Sequence, residues 1–365
     1  MTNPETLLAE SRRESVSLPL IDLSLKGLSG MYDGGKGLFC FRTIHSPHGL
    51  LHEGVSLRYT LISLIGLCRA ENRGYHVPLR LQSMADSLLH HVDRIENIGD
   101  LGLLLWLCSV AKPDKSRRIV HQRVSDVVAG NVAVPDDTTE LSWLLTGLSS
   151  LVSSEIIPRP SVADAASKLY LCLKRNYGGH GIFRHQNQKS LAGFFRGRIG
   201  TFADQVYPIC ALSSYARAFD RREALDMAVS CARKICELQG PLGQWWWYYD
   251  SARGETAGSY PVYSVHQDGM APMALLELQR STGLDFSQSI YRGLQWIFGN
   301  NELLCSMVAE EHSLIWRCIH FGGHRRDIDL IKSVFRMKPA VNENQLSVLF
   351  ECRPYHLGWL LYAFA

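Results

Sequence analysis

Two kinds of apolar segment alternate along the chain, and this alternation limits its possible folds more than any other feature. Segments that are apolar on most faces predict helices at about 55–68, 98–111, 138–151, 203–219, 267–280, 312–321 and 353–365. Amphipathic helices are predicted between them at about 78–94, 116–129, 161–175, 222–238, 286–298 and 325–336. A helix that is apolar all round must be enclosed by other structure, whereas an amphipathic helix keeps one face for solvent. The pattern therefore predicts an inner and an outer layer of helices.

We expect an all-α protein that forms an (α/α) toroid of about six helical hairpins. Successive inner helices lie roughly 40 to 65 residues apart, which suits helix hairpins. The whole chain, 1–365, is expected to be one toroid domain, with residues 1–45 as an N-terminal extension packed on it. An open solenoid of stacked helix pairs is the alternative, and the large aromatic-rich loops disfavour it. Short extended stretches are predicted only at 37–41 and 181–184.

Composition excludes several other classes of protein. The net charge is only +3, with acids and bases interspersed, so no nucleic-acid partner is expected. No uninterrupted apolar run of roughly 18 residues predicts a membrane span, and the N-terminus lacks the layout of a signal peptide. The ten cysteines never form a CxxC pair, which is typical of reduced, buried thiols. We therefore expect a cytoplasmic protein without a metal or other cofactor.

Polar side chains recur where the inner helices are predicted to begin. They are Glu53, Arg58 and Tyr59, then Asp136, then Asp204 and Gln205, then Tyr263, His266 and Asp268, and finally Tyr355 and His356. Acids at these positions are explained by helix capping and by the helix dipole. Arg and His are disfavoured there, so their recurrence indicates an anionic or polyhydroxylated ligand. Because the inner helices of a toroid run parallel, these side chains should converge on one pocket.

Aromatic residues are concentrated just before the fifth inner helix. Residues 244–250 read QWWWYYD, and Trp245, Trp247 and Tyr248 are candidates for substrate contacts. Aromatic faces suit both the C–H faces of sugars and carbocations. The alternative is that these rings only pack adjacent helices together. A few residues later, the pair His266 and Asp268 can supply a general acid or base.

A basic loop precedes the fourth inner helix. It contains Arg184 and His185 and continues to Arg196 and Arg198. Guanidinium groups bind carboxylate or phosphate with paired hydrogen bonds, so Arg184 and His185 are candidate substrate-binding residues. A loop that is merely solvated would explain the same charges.

Residues 239–245 match the pattern Q-x-x-x-G-x-W, from Gln239 to Trp245. This segment resembles the repeat of squalene cyclases and prenyltransferases, and residues 176–183 look like a degenerate second copy. The resemblance implies the same toroid architecture, which six-hairpin glycosidase-like enzymes share. Class II terpene cyclases donate a proton from the middle Asp of D-x-D-D-T-A. Partial matches at 266–271 and 134–139 imply Asp268 or Asp136 in that role.

The leading functional hypothesis is a carbohydrate-active enzyme: a glycoside hydrolase, a polysaccharide lyase or a uronic-acid epimerase. In a hydrolase, Asp268 with Asp136 or Asp204 would form the acid/base pair. In a lyase or epimerase, Tyr263 and His266 would move the proton beside a carboxylate held by Arg184 or Arg58. A terpene cyclase-like enzyme and a non-catalytic glycan-binding scaffold are the alternatives. The expected partner is a small molecule or an oligosaccharide, and the oligomeric state is open.

Overall fold

The computed structural model describes residues 4–89, 95–111, 116–131, 134, 136–186, 197–321 and 345–365. Twelve α-helices lie in these residues and alternate between two layers. The inner helices are α2 (Leu57–Asn72), α4 (Ile98–Ala111), α6 (Thr138–Ser153), α8 (Ala203–Phe219), α10 (Ala271–Thr282) and α12 (Pro354–Phe364). The outer helices are α1 (Pro4–Met31), α3 (Leu81–Leu89), α5 (Ser116–Val128), α7 (Ala163–Arg175), α9 (Arg222–Glu237) and α11 (Ser287–Ile297).

The inner helices form a ring of contacts. Each packs against the next, from α2 through α4, α6, α8 and α10 to α12, and α12 packs back against α2. Burial separates the layers as the apolar pattern predicts: 14 of the 17 residues of α8 are buried, against six of 16 in the outer helix α9. An open solenoid would leave its first and last helices apart. The predicted all-α toroid is therefore confirmed.

Glycines allow neighbouring inner helices to approach closely. A Cβ built at Gly66 of α2 would lie 2.0 Å from the carbonyl oxygen of Gly358 on α12. We expect Gly66→Ala to lower the free energy of unfolding by about 1–3 kcal/mol, because the two backbones must separate to accept the methyl group. Urea unfolding monitored by circular dichroism measures this loss. Gly30→Ala in α1 is the control, since no heavy atom lies within 4 Å of its added Cβ; equal losses for the two variants would contradict the prediction.

Short antiparallel strands precede most inner helices. They are β1 (Tyr32–Asp33), β2 (Leu38–Ser46), β3 (Gly49–Val55), β4 (Ile199–Thr201), β5 (Tyr248–Asp250), β6 (Glu255–Gly258), β7 (Val262–Tyr263), β8 (Val308–Ala309), β9 (Leu314–Ile315), β10 (Cys318–Phe321), β11 (Leu346–Leu349) and β12 (Glu351–Cys352). The sheet orders are β1-β2-β12 with β3 also on β2, β11-β10-β7, β4-β5-β6, and β8-β9. Because β3, β4, β7 and β12 lead into α2, α8, α10 and α12, these sheets frame the end of the ring where the inner helices begin.

The predicted inner helix at 312–321 is wrong. This segment forms β9 and β10 after a 3₁₀ turn at Glu310–His312, and β10 pairs with both β7 and β11. Its apolar residues are buried by these pairings, which the local sequence does not show. The predicted strand at 37–41 falls largely within β2, and Phe183 of 181–184 forms a bridge with Tyr177. The outer helix predicted at 325–336 lies outside the described residues.

The N-terminal segment supplies an outer helix that the sequence pattern did not predict. Residues 4–31 form α1, which packs against α12 and α11. Leu20, Ile21 and Leu28 of α1 are almost completely buried. We therefore propose that the described part of this segment, residues 4–45, belongs to the toroid itself within a single domain. Among the described helices, none is long and apolar enough to cross a membrane.

Candidate active site

Asp137, the neighbour of Asp136, places its carboxylate at the start of the inner helix α6. It is the N-cap residue of α6, and its side chain accepts a hydrogen bond from the Glu140 N–H at 3.0 Å. Asp136 is exposed, and its main-chain carbonyl accepts a hydrogen bond from Asn176 Nδ2. Capping satisfies an N–H group that would otherwise lack a partner at the helix end. Of the two adjacent aspartates, Asp137 rather than Asp136 therefore has a partly buried carboxylate that is held at the start of α6.

His185 connects Asp137 with Asp204. Its Nε2 lies 3.2 Å from Asp137 Oδ2, and its Nδ1 lies 3.2 Å from Asp204 Oδ2. Asp204 is in the first turn of α8 and is completely buried. Its oxygens also accept hydrogen bonds from the N–H and hydroxyl of Thr201 and from the hydroxyl of Thr139. Asp204 is thus fixed by its neighbours and orients the imidazole that faces Asp137.

Main-chain hydrogen bonds bring the segment with His185 to the start of α6. Thr138 donates its N–H to the His185 carbonyl at 2.9 Å and its hydroxyl to the Arg184 carbonyl at 2.6 Å. Gln205 is completely buried and binds both the N–H and the carbonyl of Phe183. The side chain of Gln205, which was expected to bind substrate, therefore holds the framework of this segment.

The pKa of Asp137 is raised above its usual value. Burial is the largest cause, and the negative charge of Asp204 adds to it, whereas His185 opposes the shift. The Asp137 side chain nevertheless stays 26% exposed, so a ligand can reach it. A reachable carboxyl group with a raised pKa has the properties of a general acid.

The same three side chains have donor atoms of the kind that bind divalent cations. One ligand atom each from Asp137, His185 and Asp204 lies within 4.8 Å of the others. Three hydrogen-bond donors from Thr139 and Thr201, however, already point at the oxygens of Asp204. Since a cation needs the lone pairs that these donors use, the geometry favours an imidazole bridge between two carboxyl groups.

A second polar network joins the starts of α2, α4 and α6. Arg58 Nε donates to Asp100 Oδ1 at 2.5 Å, and its terminal nitrogen donates to Asn97 Oδ1 at 3.1 Å. Asn97 Nδ2 donates to Glu140 Oε1 at 2.5 Å. The sequence pattern pointed to Arg58 but not to Asn97 or Asp100. The signal was present, because Asp100 lies in the first turn of an inner helix, where acids are favoured.

A third group of side chains lies between α12 and α2. Arg353 donates to the Tyr59 hydroxyl at 2.7 Å, and the Tyr59 and Tyr355 rings lie 4.7 Å apart between centroids. Glu53 is bound by Arg42 at 2.6 Å across β2 and β3. The structure thus brings the predicted Tyr59 and Tyr355 together, and it pairs Glu53 with a cation.

The aromatic segment 244–250 contributes side chains both to the hydrophobic core and to the partly exposed surface near the inner-helix starts. Trp245 is completely buried. Trp247 and Tyr248 are partly exposed, and the Trp247 ring lies 4.3 Å from that of Tyr263 and 5.5 Å from that of His266. His266 donates from Nδ1 to the Trp245 carbonyl, and burial lowers the pKa of His266 to about 3. His266 is therefore neutral at physiological pH.

Asp268 and His356 form a pair inside the protein. His356 Nε2 lies 2.7 Å from Asp268 Oδ1, and both residues are buried. Asp268 belongs to a π-helical turn, His266–Met270, which packs against α12. Burial raises the pKa of Asp268, and the charge of His356 opposes that rise. The two predicted site residues thus bind each other across 88 positions of sequence.

The Q-x-x-x-G-x-W segment closes a turn after α9. Gln239 Nε2 donates to the carbonyls of Gly243 and Ser289, which ties the turn to α11. Gly243 has a φ of +95°, and an added Cβ would lie 2.3 Å from the Arg292 carbonyl oxygen. Trp245 donates its N–H to Gln267 Oε1 at 3.1 Å. These contacts explain the spacing of Gln239, Gly243 and Trp245 as packing requirements.

The fold of this chain is similar to that of known proteins. No protein-family model and no curated sequence matches the chain. Among solved structures, an unsaturated glucuronyl hydrolase from Bacillus sp. GL1 is 15% identical over 97% of this chain and 96% of its own, with a TM-score of 0.61. A possible member of the GH105 family from Salmonella enterica is 11% identical over 95% and 92%, with a TM-score of 0.62. A polysaccharide lyase is 11% identical over 95% and 96%, with a TM-score of 0.59.

These likenesses extend over nearly the full length of each chain and establish the α/α-toroid fold. They do not support the resemblance to squalene cyclases that the segment from Gln239 to Trp245 suggested. The fold, rather than that motif, is what this chain shares with known proteins.

Proposed function

We propose that this protein is a glycoside hydrolase that acts on uronic-acid-containing oligosaccharides, with Asp137 as its general acid. The contact series from Asp137 through His185 to Asp204 carries this proposal. It sets a partly exposed carboxyl group of raised pKa at the end of the ring where the inner helices begin. The names of the structural neighbours supply the substrate class, since they include an unsaturated glucuronyl hydrolase and a polysaccharide lyase.

In this mechanism Asp137 delivers a proton to the glycosidic oxygen, and the bond from that oxygen to the anomeric carbon breaks. The protonated leaving group departs before water adds to the anomeric carbon. Burial and the charge of Asp204 raise the pKa of Asp137, which favours the protonated form that a general acid needs. After the proton has left, the Asp137 carboxylate is stabilised by His185 and can take a proton back from the attacking water. Asp204 is a positioning residue, because it contacts the imidazole and is completely buried.

Two further carboxylates are available, one on the helix that Asp137 caps and one on the neighbouring inner helix. Glu140 lies in the first turn of α6, and Asp100 lies in the first turn of α4. Asn97 and Arg58 hold both groups in place by hydrogen bonds. We propose that Glu140 or Asp100 binds sugar hydroxyl groups or directs the water, as the partner of the acid in a two-carboxylate glycosidase.

The arrangement gives less support to a lyase that uses Tyr263 and His266. Both residues are buried, and their rings pack against Trp247. Asp268 is likewise committed to His356. We therefore leave these three residues out of the catalytic proposal and retain Trp247 and Tyr248 as candidate sugar contacts. A cytoplasmic location and the absence of a cofactor or nucleic-acid partner stay predictions.

A substrate panel tests the proposed function. The protein would be incubated with oligosaccharides ending in an unsaturated glucuronyl residue, with their saturated counterparts and with neutral oligosaccharides. Hydrolysis would appear as new reducing ends, and for the unsaturated substrates also as loss of the ultraviolet absorbance of the double bond. A gain of that absorbance would identify a lyase. Binding without turnover in every case would favour the glycan-binding scaffold.

The pH dependence should respond in opposite directions to two substitutions. Activity that needs protonated Asp137 is lost as the pH rises through its pKa. The charge of Asp204 raises that pKa, so Asp204→Asn should move the alkaline limb of kcat to lower pH. His185 lowers it, so His185→Gln should move the limb to higher pH. Both variants should also have a lower kcat. If the alkaline limb of the kcat profile lies at the same pH in both variants as in the unsubstituted protein, another group donates the proton.

A further inference from the structure

Three arginines surround one buried glutamate at the edge of the proposed site. Glu351 is 3% exposed. Its Oε2 lies 3.1 Å from Arg42 Nη1, and its Oε1 lies 3.4 Å from Arg317 Nη1 and 2.5 Å from Arg353 Nε. Burial alone would raise the pKa of Glu351. The hydrogen bond from Arg353 and the charges of Arg317 and Arg353 instead hold that pKa below its usual value. The glutamate is therefore ionised and attracts the three guanidinium groups to one place.

The local charges do not balance. Three guanidinium groups face two carboxylates, Glu351 and the Glu53 that pairs with Arg42, which leaves one positive charge in excess. Arg353 is also the N-cap residue of α12, where the helix dipole adds about half a positive charge. A cation at a helix N-terminus is unfavourable unless an anion offsets it. The cluster is thus suited to receiving a negatively charged group.

Among the described residues, two of the three arginines, Arg317 and Arg353, pair with only one carboxylate and keep part of the side chain exposed. Arg42 is held by two carboxylates, Glu53 and Glu351. Arg317 and Arg353 pair with Glu351 and keep side-chain exposures of 12% and 18%. Arg58, a candidate carboxylate-binding residue from the sequence, already binds Asp100 and Asn97.

Aromatic rings surround the same two guanidinium groups. Arg317 Cζ lies 5.0 Å from the centre of the Tyr263 ring, and Arg353 Cζ lies 4.6 Å from that of Phe41. Tyr59 and Tyr355 lie beside them and are partly exposed. Stacked rings hold a planar guanidinium in place, which lowers the entropy lost when it binds a carboxylate in the bidentate manner. The partly exposed rings of Tyr59 and Tyr355 can also contact the C–H groups of a sugar.

We propose that Arg317 and Arg353 bind the carboxylate of the uronic acid and so select acidic over neutral sugars. This inference rests on the proposed function and deepens it by assigning the residues that recognise the substrate's charge. A series of contacts leads from this subsite to the acid: Arg353 to Tyr59, Arg58 to Asp100 on the next helix, and Asn97 to Glu140 in the first turn of the helix that Asp137 caps. In the ring of six inner helices α12 lies opposite α6, so the subsite and Asp137 would face a substrate from opposite sides of the same opening.

The test compares an acid with its own neutral ester. Binding of an unsaturated glucuronyl disaccharide and of its methyl ester would be measured by calorimetry on Asp137→Asn protein, which prevents turnover. We expect the acid to bind about tenfold or more tightly than the ester, because only the acid offers a charged acceptor to the two guanidinium groups. Arg317→Gln should remove most of this preference and leave the affinity for the ester nearly unchanged. Arg317→Lys should fall between, since it keeps the charge and loses the paired hydrogen bonds.

Arg217→Gln is the matched control, because Arg217 pairs with Glu277 near the opposite ends of α8 and α10. It should keep the full preference for the acid. Retention of the preference in Arg317→Gln, or equal binding of acid and ester before any arginine is changed, would overturn the inference. Preference for the acid without turnover by the unsubstituted protein would contradict the proposed hydrolase and leave the carboxylate subsite standing. A thermal unfolding curve for each variant separates loss of recognition from loss of the fold.

Discussion

Replacing Asp137 by asparagine is expected to lower kcat by about 10²–10⁴-fold, the range that a positioned general acid typically contributes. The amide has nearly the same shape as the carboxyl group, but it has no proton to deliver. Asparagine is as good an N-cap as aspartate, so the hydrogen bond from the Glu140 N–H to the side chain of residue 137 should persist. The loss should therefore appear in kcat rather than in stability. Steady-state kinetics on the preferred oligosaccharide measures it.

Asp136→Asn is the control for this experiment. The two aspartates are neighbours in sequence, yet Asp136 is exposed and Asp137 is the one that contacts His185. The Asp136 variant should keep kcat within about twofold, because an exposed side chain without a buried partner seldom affects catalysis. Equal losses in both variants would point to the loop as a whole. No loss in Asp137→Asn would remove Asp137 from the mechanism.

The layers of the fold were predictable from the sequence because they depend on local pattern. The apolar segment predicted at 203–219 has the same bounds as α8, and the amphipathic segment at 222–238 differs from α9 by one residue. The distribution of apolar residues within each of these helices is enough to show whether the helix lies in the inner or the outer layer. The segment at 312–321 failed because a strand pairing with distant residues decides its structure: Ile319 pairs with Val348 on one side and Val262 on the other. Nothing within the segment itself reveals those partners.

The candidate site was predictable only at the level of helix starts. The sequence drew attention to the start of α6, but the choice between Asp136 and Asp137 depends on which residue caps the helix. The same limit applies to Asp268, which the sequence offers as a candidate catalytic acid without showing its partner. That partner, His356, lies 88 residues further along the chain. Pairings of this kind come from ring closure, because α12 brings its first turn against the π-helical turn only in the folded protein.

Removing one member of the Asp268–His356 pair should give the largest loss of stability among the variants considered. His356→Ala leaves the Asp268 carboxyl group buried without the partner that lies 2.7 Å away. Truncating one side of a buried ion pair costs about 3–5 kcal/mol in the free energy of unfolding. Asp268→Ala should cost a similar amount, and the double variant should lose less than the sum of the two, because the second truncation has no interaction left to break. Urea unfolding of the unsubstituted protein, the two single variants and the double variant measures this double-mutant cycle.

The pH dependence of that loss identifies its cause. Burial raises the pKa of Asp268 in the folded protein, so the folded state favours the protonated carboxyl and loses stability as the pH rises above the unfolded pKa. His356 lowers the pKa of Asp268, so His356→Ala should raise that pKa further. Lowering the pH from about 7 to about 5 should recover part of the stability that the variant has lost. His48→Ala, at an exposed position, should change stability by less than about 0.5 kcal/mol and show no such recovery. A loss in His356→Ala that is the same at both pH values would assign it to the cavity left by the imidazole, rather than to the unpaired carboxylate.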